Sequence, residues 1–144
     1  MTFNETTVGI LGLALCAAIC GIGSALGLKN TGSTATGVLA EDPGKFSKVL
    51  VLVLLPATQG LYGLLIAFMG MAKISAGWDL FFAVLPMTVV GFASALLQAK
   101  TSCVAIHAVG KRPELSGKLM MFPAMVETYA LLALVVSILL INQL

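Results

Sequence analysis

Four stretches of this chain, residues 8–28, 49–72, 80–99 and 119–141, are almost wholly apolar. Each meets the requirement of about 20 residues for a helix crossing the hydrocarbon core of a bilayer. Lipid offers the backbone no hydrogen-bonding partner, so its polar groups must be satisfied internally, as a helix does. The expected fold is therefore an all-α membrane protein, with four transmembrane helices in one membrane domain over residues 1–144. A soluble domain carries about a quarter charged residues. This chain has 10% charged and 59% hydrophobic residues in 144 positions, which leaves no room for a separate catalytic domain.

Charge sets the expected orientation. Lys29, Lys45, Lys48, Lys100, Lys111, Arg112 and Lys118 flank the first and third connections. Only Lys73 lies near the second, and Glu5 near the N-terminus has no balancing cation. The positive-inside rule then puts the loops near Pro43 and Pro113 in the cytoplasm and both termini outside. The net charge of +2 reflects this topology and gives no reason to expect a nucleic acid as partner. The first segment lacks the basic start and cleavage site of a signal peptide, and is read as a retained helix.

The chain also repeats itself. A shift of 70 residues aligns Gly21 with Gly91, Ser24-Ala25-Leu26 with Ser94-Ala95-Leu96, Thr31 with Thr101 and Pro43 with Pro113. A shift of 67 aligns Pro56-Ala57 with Pro123-Ala124 and Tyr62 with Tyr129. Two helical hairpins of the same orientation follow, over residues 7–72 and 80–144, each with a proline at its tip. The second register pairs Glu127 with Gly60, so only one hairpin carries a carboxylate.

Glu127 is the one acidic residue inside the four apolar stretches. A charge at helix centre costs roughly 2.5–3.5 kcal/mol on insertion scales, and intramembrane carboxylates mark ion or proton handling. Counting from the tips gives Glu127 company. Gln98 lies 15 residues before Pro113 and Glu127 lies 14 after it, while Thr58 and Gln59 follow Pro43 by 15 and 16. With the same rise per helical residue, all four reach nearly one depth. Leu55, Thr58, Gln59 and Tyr62 follow the i, i+3, i+4, i+7 spacing of one helix face. Carboxylate, amide and hydroxyl oxygens are hard ligands and suit Na⁺, whereas a proton site needs only the carboxylate. Four polar groups at one depth exceed what helix-bonding alone requires.

The first helix is rich in glycine, alanine and serine, including Gly23-x-x-x-Gly27, a spacing that lets helix backbones approach closely. It suits a crowded inner layer of a ring, with the bulkier second and fourth helices outside it. Pro56, Pro86 and Pro123 each remove a backbone donor and favour bends; two of them lie within about one turn of the site residues, where shaping the site is an equal reading. Cys16, Cys20 and Cys103 read as small buried hydrophobes, and His107 as a structural residue near the helix end. Gly21-Ile22-Gly23 follows no strand, which excludes a nucleotide-binding reading.

Over essentially its whole length the chain resembles the four-helix proteolipid rotor subunit of V-type ATPases, the K or c subunit of the membrane ring. The resemblance lies in Leu55-Pro56-Ala57-Thr58-Gln59-Gly60-Leu61-Tyr62, in Pro123-Ala124-Met125-Val126-Glu127-Thr128-Tyr129-Ala130, in Gly21-x-Gly23, and in the duplication with one retained carboxylate. Ala25 stands where many members continue the glycine series. It is most similar to the bacterial sodium-pumping branch, which implies a plasma-membrane location. The resemblance implies Na⁺ held by Glu127, Gln59, Gln98, the Thr58 hydroxyl and the Leu55 main-chain oxygen, with Tyr62 locking the carboxylate. It further implies a homo-oligomeric ring in lipid, a stator membrane subunit, and a central stalk meeting loops 41–48 and 111–118. No organic cofactor is implied, and ATP is hydrolysed by other subunits. The same rotor carrying H⁺, a pore-forming structural oligomer and a small secondary transporter are the competing readings.

Overall fold

The computed structural model describes residues 4–144, and among these it is a bundle of four long helices. They are α1 (Glu5–Glu41), α2 (Pro43–Ala76), α3 (Trp78–Lys111) and α4 (Pro113–Asn142). All four are long and apolar enough to cross a membrane. α1 packs along α3 over most of its length, while α2 lies against α1 and α4 against α3. The first and third helices are therefore the central pair, with the bulkier second and fourth beside them.

The helices overrun the apolar stretches that define them. α1 has 37 residues, about 55 Å at 1.5 Å per residue, against a hydrocarbon core of about 30 Å. The first and third connections consequently shrink to single residues, Asp42 and Arg112, and Lys29 and Lys100 lie on helices instead of in loops. The added length is held by a small core of its own at the proline-tip end. Ala35 and Val38 of α1, Val49 and Leu52 of α2, and Ala105, Ile106 and Val109 of α3 are all buried there. Two bonds cross between the tips: Lys45 Nζ donates to the Gly110 carbonyl at 2.8 Å, and Ser116 Oγ to the Lys48 carbonyl at 2.6 Å. At the other end Gly77 joins α2 to α3 with φ +55°, and a Cβ added there would meet Glu5.

Small residues on α1 set the spacing of the bundle. A Cβ at Gly23 would stand 3.0 Å from the Phe92 Cα of α3, and one at Gly27 would stand 2.7 Å from the Pro56 Cβ of α2. Cys16 and Cys20 are fully buried, with the Cys20 thiol donating to the Met87 carbonyl at 3.3 Å. Cys103 is half-buried and His107 is exposed near the tip end.

The three prolines act differently. At Pro56 the helix tightens into a 3-10 turn, Leu55–Ala57. Just before Pro123 the α-helix is interrupted at Met120. Pro86 instead sits within the uninterrupted Trp78–Lys111, where the neighbouring Met87 N–H donates to Ser137 Oγ of α4 at 3.2 Å.

Gly23→Leu should overpack this contact and destabilise the subunit by about 1–3 kcal/mol, read as a lower unfolding midpoint in mixed detergent. Gly117→Ala, whose added methyl meets nothing within 4 Å, should not lower it.

Candidate ion-binding site

The residues that the depth count placed together are joined by hydrogen bonds across three helices. Tyr62 OH of α2 donates to Glu127 Oε1 of α4 at 2.7 Å. Gln98 of α3 donates its amide to Glu127 Oε2 at 3.3 Å and to the Pro123 carbonyl at 3.0 Å. Gln59 Nε2 donates to Gln98 Oε1 at 2.8 Å. The Thr58 hydroxyl lies 3.3 Å from Gln59 Oε1 and 3.0 Å from the Leu55 carbonyl, and can donate to either. One connected chain thus runs Leu55, Thr58, Gln59, Gln98, Glu127, Tyr62, although its links span up to 65 residues of sequence.

Burial explains why the chain is continuous. Gln59 and Gln98 are both 0% exposed, and a buried amide without partners costs at least about 1–3 kcal/mol. Each satisfies the other, and the remaining amide hydrogens of Gln98 go to the carboxylate and to a main-chain oxygen. Glu127 itself is half-buried, between α2 and α3, with a donor on each oxygen. Of the two, the Tyr62 bond at 2.7 Å has the short length of a strong hydrogen bond to a carboxylate.

The proline break shapes the α2 side. Pro56 has no N–H, and the 3-10 turn it starts presents the Leu55 carbonyl to the Thr58 side chain. The α-helix resumes at Thr58, so both oxygen-bearing side chains of α2 stand on its first turn. Leu55 O, Thr58 Oγ1 and Gln59 Oε1 form a compact oxygen cluster, linked to Glu127 through the Gln59 and Gln98 amides. Among the described residues no three His, Cys, Asp or Glu side chains gather, so this ligand set is one of amide, hydroxyl and carbonyl oxygens around one carboxylate.

One member differs from the sequence expectation in orientation. Gln98 presents nitrogen, not oxygen, to Glu127, and its oxygen faces Gln59. A carboxylate only accepts, so the amide turns its donors toward it. A half-turn about the Cγ–Cδ bond of Gln98 exchanges nitrogen and oxygen without moving the helix.

Two further residues have contacts that the sequence reading does not specify. Pro123 is read there as bending its helix or shaping the site, and its carbonyl holds the Gln98 amide; its i, i+4 spacing from Glu127 puts both on one face. Ser24 appeared only as a marker of the repeat, yet its Oγ accepts the Gly60 N–H at 2.7 Å, next to Gln59.

Comparison with known proteins shows the family. The sequence profile of the ATP synthase C-subunit family matches twice, over residues 11–70 and 81–140, one copy per hairpin. The V-type sodium ATPase subunit K of Enterococcus hirae is 39% identical over 138 residues, covering 92% of this chain and 88% of that protein. The A-type ATP synthase subunit K of Methanocaldococcus jannaschii is 38% identical over 136 residues, covering 93% of this chain and 61% of the relative. The chain belongs to the ATP synthase C-subunit family.

Proposed function

We propose that this chain is the ion-carrying rotor subunit of a V-type ATPase and that its cargo is Na⁺. As a member of its family it is an integral membrane proteolipid, non-catalytic, and forms a homo-oligomeric ring. The observation that carries the sodium reading is the connected chain of oxygen-bearing groups ending on Glu127. A proton needs only a carboxyl in a tuned environment. The Leu55 carbonyl, the Thr58 hydroxyl and the Gln59 amide oxygen add what a hard cation needs in place of its hydration shell. Turning the Gln98 and Gln59 amides together would bring the Gln98 oxygen to the carboxylate while keeping their mutual bond, and Tyr62 holds the carboxylate in place. The likeness to a subunit of a sodium ATPase points the same way.

The mechanism follows from electrostatics. A bare carboxylate facing lipid is expensive, and Na⁺ bound to Glu127 neutralises it, so a loaded site crosses the lipid-facing arc of the ring. At the stator the emptied carboxylate requires a basic partner, because an unpaired buried charge costs several kcal/mol. Moving one cation against 100 mV costs about 2.3 kcal/mol, which ATP hydrolysis in other subunits supplies. The tips around 41–48 and 111–118 carry most of the cations, which favours their lying in the cytoplasm, where the central stalk docks, with both termini outside.

Carbodiimides modify only the protonated carboxyl, so millimolar Na⁺ should slow labelling of Glu127, and more effectively as the pH rises and fewer protons compete. Labelling indifferent to Na⁺ at every pH would assign the rotor to protons. Tyr62→Phe removes a charge-assisted bond of about 1.5–3 kcal/mol. It should raise the half-protecting Na⁺ concentration about tenfold or more in the same assay.

A further inference from the structure

The site residues of α2 stand just beyond a proline break, and the contacts that brace the break come from α1. A restarted helix has first-turn N–H groups with no partner of their own, and Ala57 at its N-cap offers no side-chain acceptor. Ser24 supplies one from the neighbouring helix: its Oγ takes the Gly60 N–H at 2.7 Å, as a cap residue's oxygen does in an ordinary helix. Seven residues along α1, on the same face, the buried Thr31 hydroxyl reaches the Val53 carbonyl at 2.9 Å, the shortest of its three carbonyl contacts. Between the two, Gly27 leaves its backbone bare against the Pro56 ring. The trio follows the i, i+3, i+7 pattern of one helix face and grips α2 before, at and after the break.

We propose that Ser24, Gly27 and Thr31 form a clamp that positions the ion site, fixing the spacing of the Leu55 carbonyl, Thr58 and Gln59 without contributing a ligand. The inference rests on the sodium reading above. The duplication supplies an internal comparison. The counterparts in the second hairpin are Ser94, Leu97 and Thr101. There the hydroxyls turn back to carbonyls of their own helix, Gly91 at 3.3 Å and Leu97 at 3.1 Å, and a leucine replaces the glycine. The clamp exists only in the hairpin that supplies the Leu55, Thr58 and Gln59 oxygens.

The test uses the purified ring and the Na⁺ concentration that half-protects Glu127 from carbodiimide. Ser24→Ala and Thr31→Val should each raise it about threefold to tenfold, the effect of one lost hydrogen bond, and the double variant should raise it further. The labelling rate without Na⁺ should stay at the wild-type value, because neither hydroxyl bonds the carboxylate, and Thr31→Ser should restore protection. A merely structural role would instead lower ring stability with no change in half-protection. Wild-type half-protection in both single variants would overturn the clamp and leave the sodium reading standing. No Na⁺ protection in the wild type would overturn the sodium reading and the clamp with it. Should the double variant fail to assemble, the single variants decide by the same criterion.

Discussion

A carboxylate at membrane depth is the constraint on which the rest of this structure depends. Lipid cannot solvate it, so protein groups must, and the helices are arranged to bring them. Tyr62 comes from the second helix and Gln98 from the third, each placing a donor on Glu127. Gln98 is buried to do so and in turn requires Gln59. One charge thus accounts for two fully buried glutamines that would otherwise be unfavourable in an apolar bundle.

Bringing three helices to one carboxylate requires close backbones and an irregular one. The glycines of α1 meet the first requirement, because side chains at Gly23 and Gly27 would collide with α3 and α2. The proline break in α2 meets the second. The turn at Leu55–Ala57 bonds the Leu55 carbonyl to the Thr58 N–H, and the same oxygen also meets the Thr58 hydroxyl at 3.0 Å, beside Gln59. Irregular backbone at membrane depth is tolerated where protein buries it, and α1 covers this turn with Ser24, Gly27 and Thr31. The small-residue helix therefore supports the site as well as narrowing the bundle.

Much of this was legible in the sequence because lipid simplifies the code. Apolar length gave the four helices, and a uniform rise per residue turned positions counted from Pro43 and Pro113 into a shared depth for Thr58, Gln59, Gln98 and Glu127. Helix ends were less legible. Hydropathy marks where lipid stops, not where the helix stops, so the continuation through Ala35 and Val38 had no apolar signature of sufficient length. Amide orientation was also out of reach: glutamine offers nitrogen or oxygen at equal spacing, and only the acceptor-only carboxylate decides which faces it. The roles of Ser24 and Thr31 were hidden because a serine or threonine in a helix usually bonds its own backbone, as Ser94 and Thr101 do.

The central claim is that the oxygen cluster and Glu127 together hold one sodium ion per chain. Equilibrium binding of radioactive Na⁺ to the purified ring tests it most directly. Saturation at one ion per chain, with affinity falling as protons compete at lower pH and no binding to Glu127→Gln, is the result expected. No saturable binding at neutral or alkaline pH, in a ring whose Glu127 still reacts with carbodiimide at low pH, would contradict it.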